Sequence, residues 1–329
     1  MTSVDMSNPV KQLLRLRPLG GVVAIALVVS ACGAAGPSSP DDSLSIVVTT
    51  SVLGDLVQRV TADVADVEVE VLMGPGQDPH SFGLSAAQAA RIQSADLIVI
   101  NGLGLEEGLL DVIDAAQNDG VTVFEVATAV EPLTRSVPHD RANVSDSGEM
   151  GSLDPHVWLD PLRMREAVSI LGELLGSIDP ERAAIWSERT DAVASELLAL
   201  HEQLLGIVAE LPPEKRILIS NHEALGAFAD RYGFEVVATV IPSASTTADP
   251  GARDIELLVA QIEEHNVSAV FAETTARSDV LESVVADLGR PIKIAELYTG
   301  ALGPPGSGAE TYSSMMVSNV RLIVESLSR

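Results

Sequence analysis

The chain has 329 residues, 46% of them hydrophobic and only 3% aromatic, a length that suits about two domains with cores of Ala, Val, Leu and Ile. Forty-seven acidic residues against 20 basic ones leave a formal charge of −27, which excludes a nucleic-acid binder, since phosphate neutralisation needs clustered Lys and Arg. The acids alternate with apolar residues, so they do not signal disorder, and the single cysteine excludes an internal disulfide or a cysteine-rich zinc site.

The first segment reads as an address. Lys11, Arg15 and Arg17 precede an apolar run over residues 19–30, too short for the roughly 20 residues of a membrane-spanning helix. The run ends Val29-Ser30-Ala31-Cys32, small residues followed by the only cysteine. That pattern resembles a bacterial lipoprotein cleavage box. The expectation is a removed signal over 1–31, a lipid on Cys32, and a flexible Gly/Pro/Ser-rich tether over 32–43. The protein would then work outside the cytoplasmic membrane, held to it by lipid.

From residue 44 strands and helices alternate. Residues 44–50, 67–72, 96–101 and 121–126 read as strands, with helical spacing over 52–60, 85–93 and 105–116. The segment Asp96-Leu97-Ile98-Val99-Ile100-Asn101 has the continuous apolar run of a strand buried on both faces. The second half repeats the pattern. Strands are predicted over 216–219, 235–240, 267–272 and 291–295, and helices over 221–231, 252–264, 279–288 and 309–327. Alternation of this kind predicts parallel sheets with helices on both faces.

Between the halves Trp186, Val193, Leu197, Leu200, Leu204 and Val208 form one apolar stripe at helical spacing. Asp179-Pro180 suits a helix start and Pro212-Pro213 a stop. A helix over 181–210 would span about 45 Å. The predicted fold is therefore α/β: two parallel-sheet lobes joined by one long rigid helix. Its divisions are an N-terminal lobe over 44–160, a linking helical segment over 161–211 and a C-terminal lobe over 212–329. A packed helix resists hinge motion, so lobe movement should be small.

Six histidines are present, and their settings separate them. Asp-Pro-His occurs at 78–80, just after a predicted strand, and again at 154–156, where the chain leaves the first lobe. Proline stiffens the backbone before each imidazole, and Asp78 and Asp154 could orient the rings. His222 follows the predicted strand at 216–219, and ligands of parallel sheets bind beyond the carboxyl ends of strands. Ser220-Asn221-His222-Glu223 fits a capping box, which would put His222 in a first helical turn and keep its ring neutral. His80, His156 and His222 are thus candidate metal ligands, suiting zinc, copper or nickel better than magnesium or calcium. Glu273, at the end of the strand predicted over 267–272, is the candidate fourth ligand, or else an acid capping the next turn. His139 lies in an acidic loop over 137–149; it, His201 and His265 read as solvated or capping residues.

These pieces resemble a known family. Gly76-Gln77-Asp78-Pro79-His80-Ser81-Phe82, Asp154-Pro155-His156-Val157-Trp158-Leu159-Asp160-Pro161, His222-Glu223-Ala224-Leu225-Gly226-Ala227-Phe228 and Leu297-Tyr298-Thr299-Gly300-Ala301-Leu302-Gly303 are similar to segments of the solute-binding lipoproteins of bacterial zinc and manganese ABC importers. The resemblance implies a two-lobed carrier with His80, His156 and His222 on the metal. It implies a membrane permease with a cytoplasmic ATPase as partners, a monomeric state and no catalytic activity. Histidine at the third position is typical of the zinc members and Glu of the manganese members, so Zn²⁺ is the expected cargo and Mn²⁺ the alternative. Many members carry an Asp where this chain has Gly300, which leaves Glu273 or water for the fourth position. The long His-rich loop of some zinc members is absent; residues 137–149 are a short acidic version. Some members are reported as adhesins, a possible second role. A zinc hydrolase with Glu273 as general base is the rival reading, but no His-Glu-x-x-His or Gly-x-Ser-x-Gly motif supports it.

Overall fold

A computed structural model describes residues 43–134 and 153–328. The expected signal, Cys32, the tether to residue 42 and His139 lie outside the described residues.

The first sheet contains β1 (Leu44–Val48), β2 (Val67–Val71), β3 (Leu97–Ile100) and β4 (Thr122–Glu125). All pairs are parallel and the order is β2-β1-β3-β4. All four residues of β3 are buried, as the unbroken apolar run requires when both faces are covered. Helices α1 (Ser51–Thr61), α2 (Ala86–Ser94) and α3 (Leu110–Asn118) make the crossovers. Thr50 caps α1 by accepting from the Leu53 amide, and Ser85 with Gln88 forms a reciprocal capping box on α2.

The helix expected from residue 105 starts later, because a turn intervenes. The Glu106 carboxylate is wholly buried and accepts from the Asn101 and Gly102 amides and from the Thr49 hydroxyl. Burial raises its pKa, and these hydrogen bonds oppose the rise. Satisfying those amides locks the β3–α3 turn, with Gly102 at a φ of 85° that favours glycine. A short 3-10 turn, Glu107–Leu109, then leads into α3.

A single helical turn, α4 (Val126–Ala129), follows β4. After the 3-10 turn Val157–Leu159 comes α5 (Pro161–Ile178), capped by Asp160 with Pro161 in its first turn. The long helix α6 (Ala183–Val208) follows and packs along α5. Its 26 residues span about 39 Å. Asp179 does not cap it directly. A 3-10 turn, Pro180–Arg182, intervenes, and the Asp179 carboxylate accepts instead from the Trp186 indole at 2.9 Å. Every residue of the predicted stripe is buried, from Trp186 to Val208.

The second sheet repeats the first: β5 (Ile217–His222), β6 (Glu235–Ile241), β7 (Ala269–Glu273) and β8 (Lys293–Leu297) in the parallel order β6-β5-β7-β8. Its helices are α7 (Gly226–Tyr232), α8 (Ala252–Glu264), α9 (Asp279–Asp287) and α10 (Tyr312–Leu327). In each sheet the strand order reverses between the first and third strands, which opens a crevice beyond their carboxyl ends. Among the described residues no helix is long and apolar enough to cross a membrane.

One apolar core runs through both lobes. It joins Ile46 and Leu97 of the first sheet to Phe271 and Leu297 of the second through Trp186, Leu197 and Leu204 of α6 and Tyr312 of α10. Each sheet's other face carries its own smaller core. The lobes are also stitched by hydrogen bonds: Gly76 donates to the Leu302 carbonyl at 3.1 Å, Leu302 to the Ser51 hydroxyl at 3.1 Å, and the Tyr312 amide to Asp55 at 3.1 Å.

Candidate metal centre

The carboxyl ends of two strands and the turn leading into α5 bring three imidazoles together. His80 follows β2, His156 opens the turn before α5, and His222 is the last residue of β5. All three are buried, and one ligand atom from each falls within 4.8 Å of the others.

Both Asp-Pro-His triplets fold alike. The Asp carboxylate accepts from the His backbone amide, at 3.1 Å in Asp78–His80 and 3.0 Å in Asp154–His156. Proline between them holds the turn. Asp154 does more: it also binds the His156 ring at Nδ1, 2.8 Å away. Gly226 makes room for it, since a Cβ there would sit 2.6 Å from Asp154 Oδ2. The Asn101 side chain donates to the Pro155 carbonyl at 2.8 Å and ties this segment to the first sheet. Asp160 ties it to the second by accepting from Arg231 of α7 at 2.9 Å.

The expected capping box at Ser220 does not form. β5 continues through His222, the Ser220 hydroxyl bonds the His222 carbonyl, and α7 begins only at Gly226. A parallel partner on each side extends the strand past the local capping preference. A helix end therefore does not set the state of His222; Glu273 does. Burial alone would lower the His222 pKa, but the Glu273 carboxylate on Nδ1 overrides it, and the net shift is upward.

Glu273 ends β7, beside β5, where its position in the sequence placed it. Its two oxygens are engaged, one with His222 Nδ1 and one with the Thr299 hydroxyl. It stands behind the imidazole, outside the group whose ligand atoms converge. A side chain at Gly300 would displace the Thr275 hydroxyl, since a Cβ there would lie 2.5 Å from it.

The decisive geometry is between His156 and His222. Each Nδ1 faces a carboxylate oxygen, which can only accept, so each Nδ1 carries hydrogen. The two Nε2 atoms then face each other across 3.2 Å, a gap that takes either one shared hydrogen or one cation. His80 completes the pocket, with ring centroids 5.6 and 5.7 Å from His156 and His222. Its pKa is lowered to about 2, by burial first and then by its two imidazole neighbours, so the ring is neutral and able to ligate. Trp158 backs His156 at 5.2 Å and is fixed by its own bond to the Thr299 carbonyl at 2.8 Å.

Comparison with known proteins identifies the family. The family model described as zinc-uptake complex component A, periplasmic, matches residues 46–326. The chain belongs to this family. It is a family of substrate-binding proteins of metal ABC transporters, not of enzymes, which removes the hydrolase reading. The manganese-binding lipoprotein MntA of Halalkalibacterium halodurans is 31% identical over 94% of this chain and 97% of its own. The zinc-binding protein TroA of Treponema pallidum is 28% identical over 96% of this chain and 100% of its own. The structure of periplasmic zinc-binding TroA from Treponema pallidum superposes with a TM-score of 0.76, at 29% identity, over 87% of this chain and all of that one.

Of the other histidines, His201 sits on α6 with its ring 3.3 Å from the Tyr232 hydroxyl, and His265 ends α8. Sequence reasoning did not find Thr299, Thr275 or Glu107 near the site. Each is a common residue in a loop or turn, and only folding brings it there.

Proposed function

We propose that this protein captures Zn²⁺ outside the cytoplasmic membrane and hands it to an ABC permease driven by a cytoplasmic ATPase. His80, His156 and His222 hold the ion, each through a neutral ring nitrogen. Glu273 orients His222 rather than ligating, and a water fills the fourth position. The lobes divide at 44–160 and 212–329, with 161–211 as the linking segment. The chain acts as a monomer, anchored to the cell membrane by lipid on Cys32. The observation that carries the reading is the pair of Nε2 atoms facing each other at 3.2 Å with carboxylates on both Nδ1 atoms. Three nitrogens and no ligating carboxylate suit zinc better than manganese, a harder ion that prefers oxygen. Manganese is the second reading, because relatives such as MntA are manganese-binding lipoproteins.

The test is elemental analysis of protein purified without added metal, together with growth of a deletion strain under starvation for each metal. Close to one zinc per chain and rescue of growth by zinc are expected. Rescue by manganese and not by zinc would overturn the assignment.

Acid should release the ion with a shallow slope. His80 takes up no proton near neutral pH, and one hydrogen fits between two nitrogens 3.2 Å apart. Because His222 binds its proton more tightly than a free imidazole, zinc competes with that proton. Zinc affinity is expected to fall about tenfold per pH unit below roughly pH 6.5, one proton per ion. Calorimetry in buffers of different ionisation enthalpy counts the protons; a count near three would contradict this account.

A further inference from the structure

Two of the three imidazoles have a carboxylate on Nδ1, and the third has an orphan nitrogen. Nδ1 of His80 is buried without a hydrogen-bond partner. Asp78, the acid that corresponds to Asp154, is already occupied. Its Oδ1 accepts from the His80 amide, and its Oδ2 from the Ser81 hydroxyl at 3.1 Å and the Thr246 hydroxyl at 2.6 Å. The acid facing the orphan is Glu107, with Oε1 3.7 Å from His80 Nδ1. That separation is too long for a hydrogen bond and short enough for one rotamer adjustment to make it. Glu107 is 42% exposed, whereas His80 is 4% exposed, so the carboxylate can move and the ring cannot.

Glu107 is also gripped from the opposite sheet. The Ser245 hydroxyl, in the loop after β6, donates to the same Oε1. Ser245 and its neighbour Thr246 thus touch an acid on each side of His80, Glu107 and Asp78. The loop is braced internally, with the Ser245 amide on the Ser243 hydroxyl at 3.1 Å and the Thr247 amide on the Ser245 hydroxyl at 3.2 Å.

We infer that Glu107 is the positioning carboxylate of His80, and that the loop over 243–247 sets its reach through Ser245. Glu107 accepts the Nδ1 hydrogen when the ion is bound, which leaves Nε2 of His80 for the metal. It is not itself a ligand, since it stands outside the group of converging ligand atoms. A carboxylate on the far nitrogen fixes the ring and makes the ligating nitrogen more basic, and loss of such a partner typically weakens metal binding about 10–100-fold. Grip on the ion then depends on a loop of one lobe staying docked on an acid of the other.

This inference rests on the metal-carrier reading, and the experiment separates the two. Zinc-loaded full-length protein is mixed with excess chelator and release is followed in a stopped-flow instrument. Cobalt-loaded protein is compared by its visible spectrum. If the unaltered protein binds neither ion, or His80→Ala binds as well as it does, the carrier reading fails. Given binding, Glu107→Ala is expected to release zinc about 10–100-fold faster and to shift the cobalt bands, as a reoriented ligand would. Glu107→Gln should recover most of that loss, because its amide oxygen still accepts from Nδ1. Ser245→Ala should speed release by less, and adding it to Glu107→Ala should change nothing more. Release within twofold of the unaltered rate in Glu107→Ala, an unshifted cobalt spectrum, or a Ser245→Ala effect that adds in full would each overturn the inference.

Discussion

His156→Ala is expected to bind zinc at least about a hundredfold more weakly than the unaltered protein, a loss larger than removing a mere orienting partner would cause. The reason is geometric. His156 Nε2 faces His222 Nε2 at 3.2 Å, and its ring is held by Asp154 on one side and Trp158 on the other. The 3-10 turn Val157–Leu159 that follows it is locked by Trp158 to the Thr299 carbonyl and by Tyr312 to the Trp158 carbonyl at 2.7 Å, which holds the ring in place. Competition against a chelator of known affinity measures the effect, with circular dichroism as the check on folding. Retention of zinc affinity within tenfold in a folded variant would remove His156 from the ion.

The second large effect is on stability. Trp186 is fully buried in the core that runs through both lobes, with its indole hydrogen bonded to Asp179 and the Arg182 guanidinium 5.7 Å from its ring centroid. Trp186→Ala removes a large side chain from packing that cannot fully collapse, at a cost of about 3–5 kcal/mol. At roughly 2–4 °C per kcal/mol, the melting temperature of the metal-free protein should drop by about 6–20 °C. Helix α6 contributes none of the three imidazoles, so zinc affinity of the folded variant should stay within about threefold. Thermal unfolding in a chelating buffer gives the first quantity and calorimetry the second. A shift under about 2 °C would mean that α6 is not integral to the core.

Packing of α6 also bears on how the carrier moves. Its apolar stripe is buried against α5, and it contacts α1 of one lobe and α10 of the other. A rod clamped in this way resists bending, because a hinge would expose Leu197, Leu200 and Leu204 to water.

Much of this molecule is written in local pattern. The apolar run over 97–100 and the stripe from Trp186 to Val208 specify their elements, because periodic burial is a property of neighbouring residues. Two Asp-Pro-His triplets and a histidine after a strand were enough to single out three rings that do converge. What local pattern could not supply was which preference wins when two compete. Ser220 to Glu223 has the form of a helix cap, but pairing with β7 at Ser220 and with β6 as far as His222 carries the strand through it. Nor could it say which atoms of Glu273 are free: its engagement with His222 and Thr299 joins residues 51 and 26 positions away. Glu107, Ser245 and Thr275 carry no signal in the sequence, since a hydroxyl or carboxylate in a turn becomes part of a site only through what the opposite strand ends bring to it. Element identity and the choice of histidines thus follow from the order of residues along the chain. Asp154 behind His156 is likewise a local partner within its triplet, but Glu273 behind His222 and Glu107 facing His80 were brought there by contacts between distant segments, which no short stretch of sequence encodes.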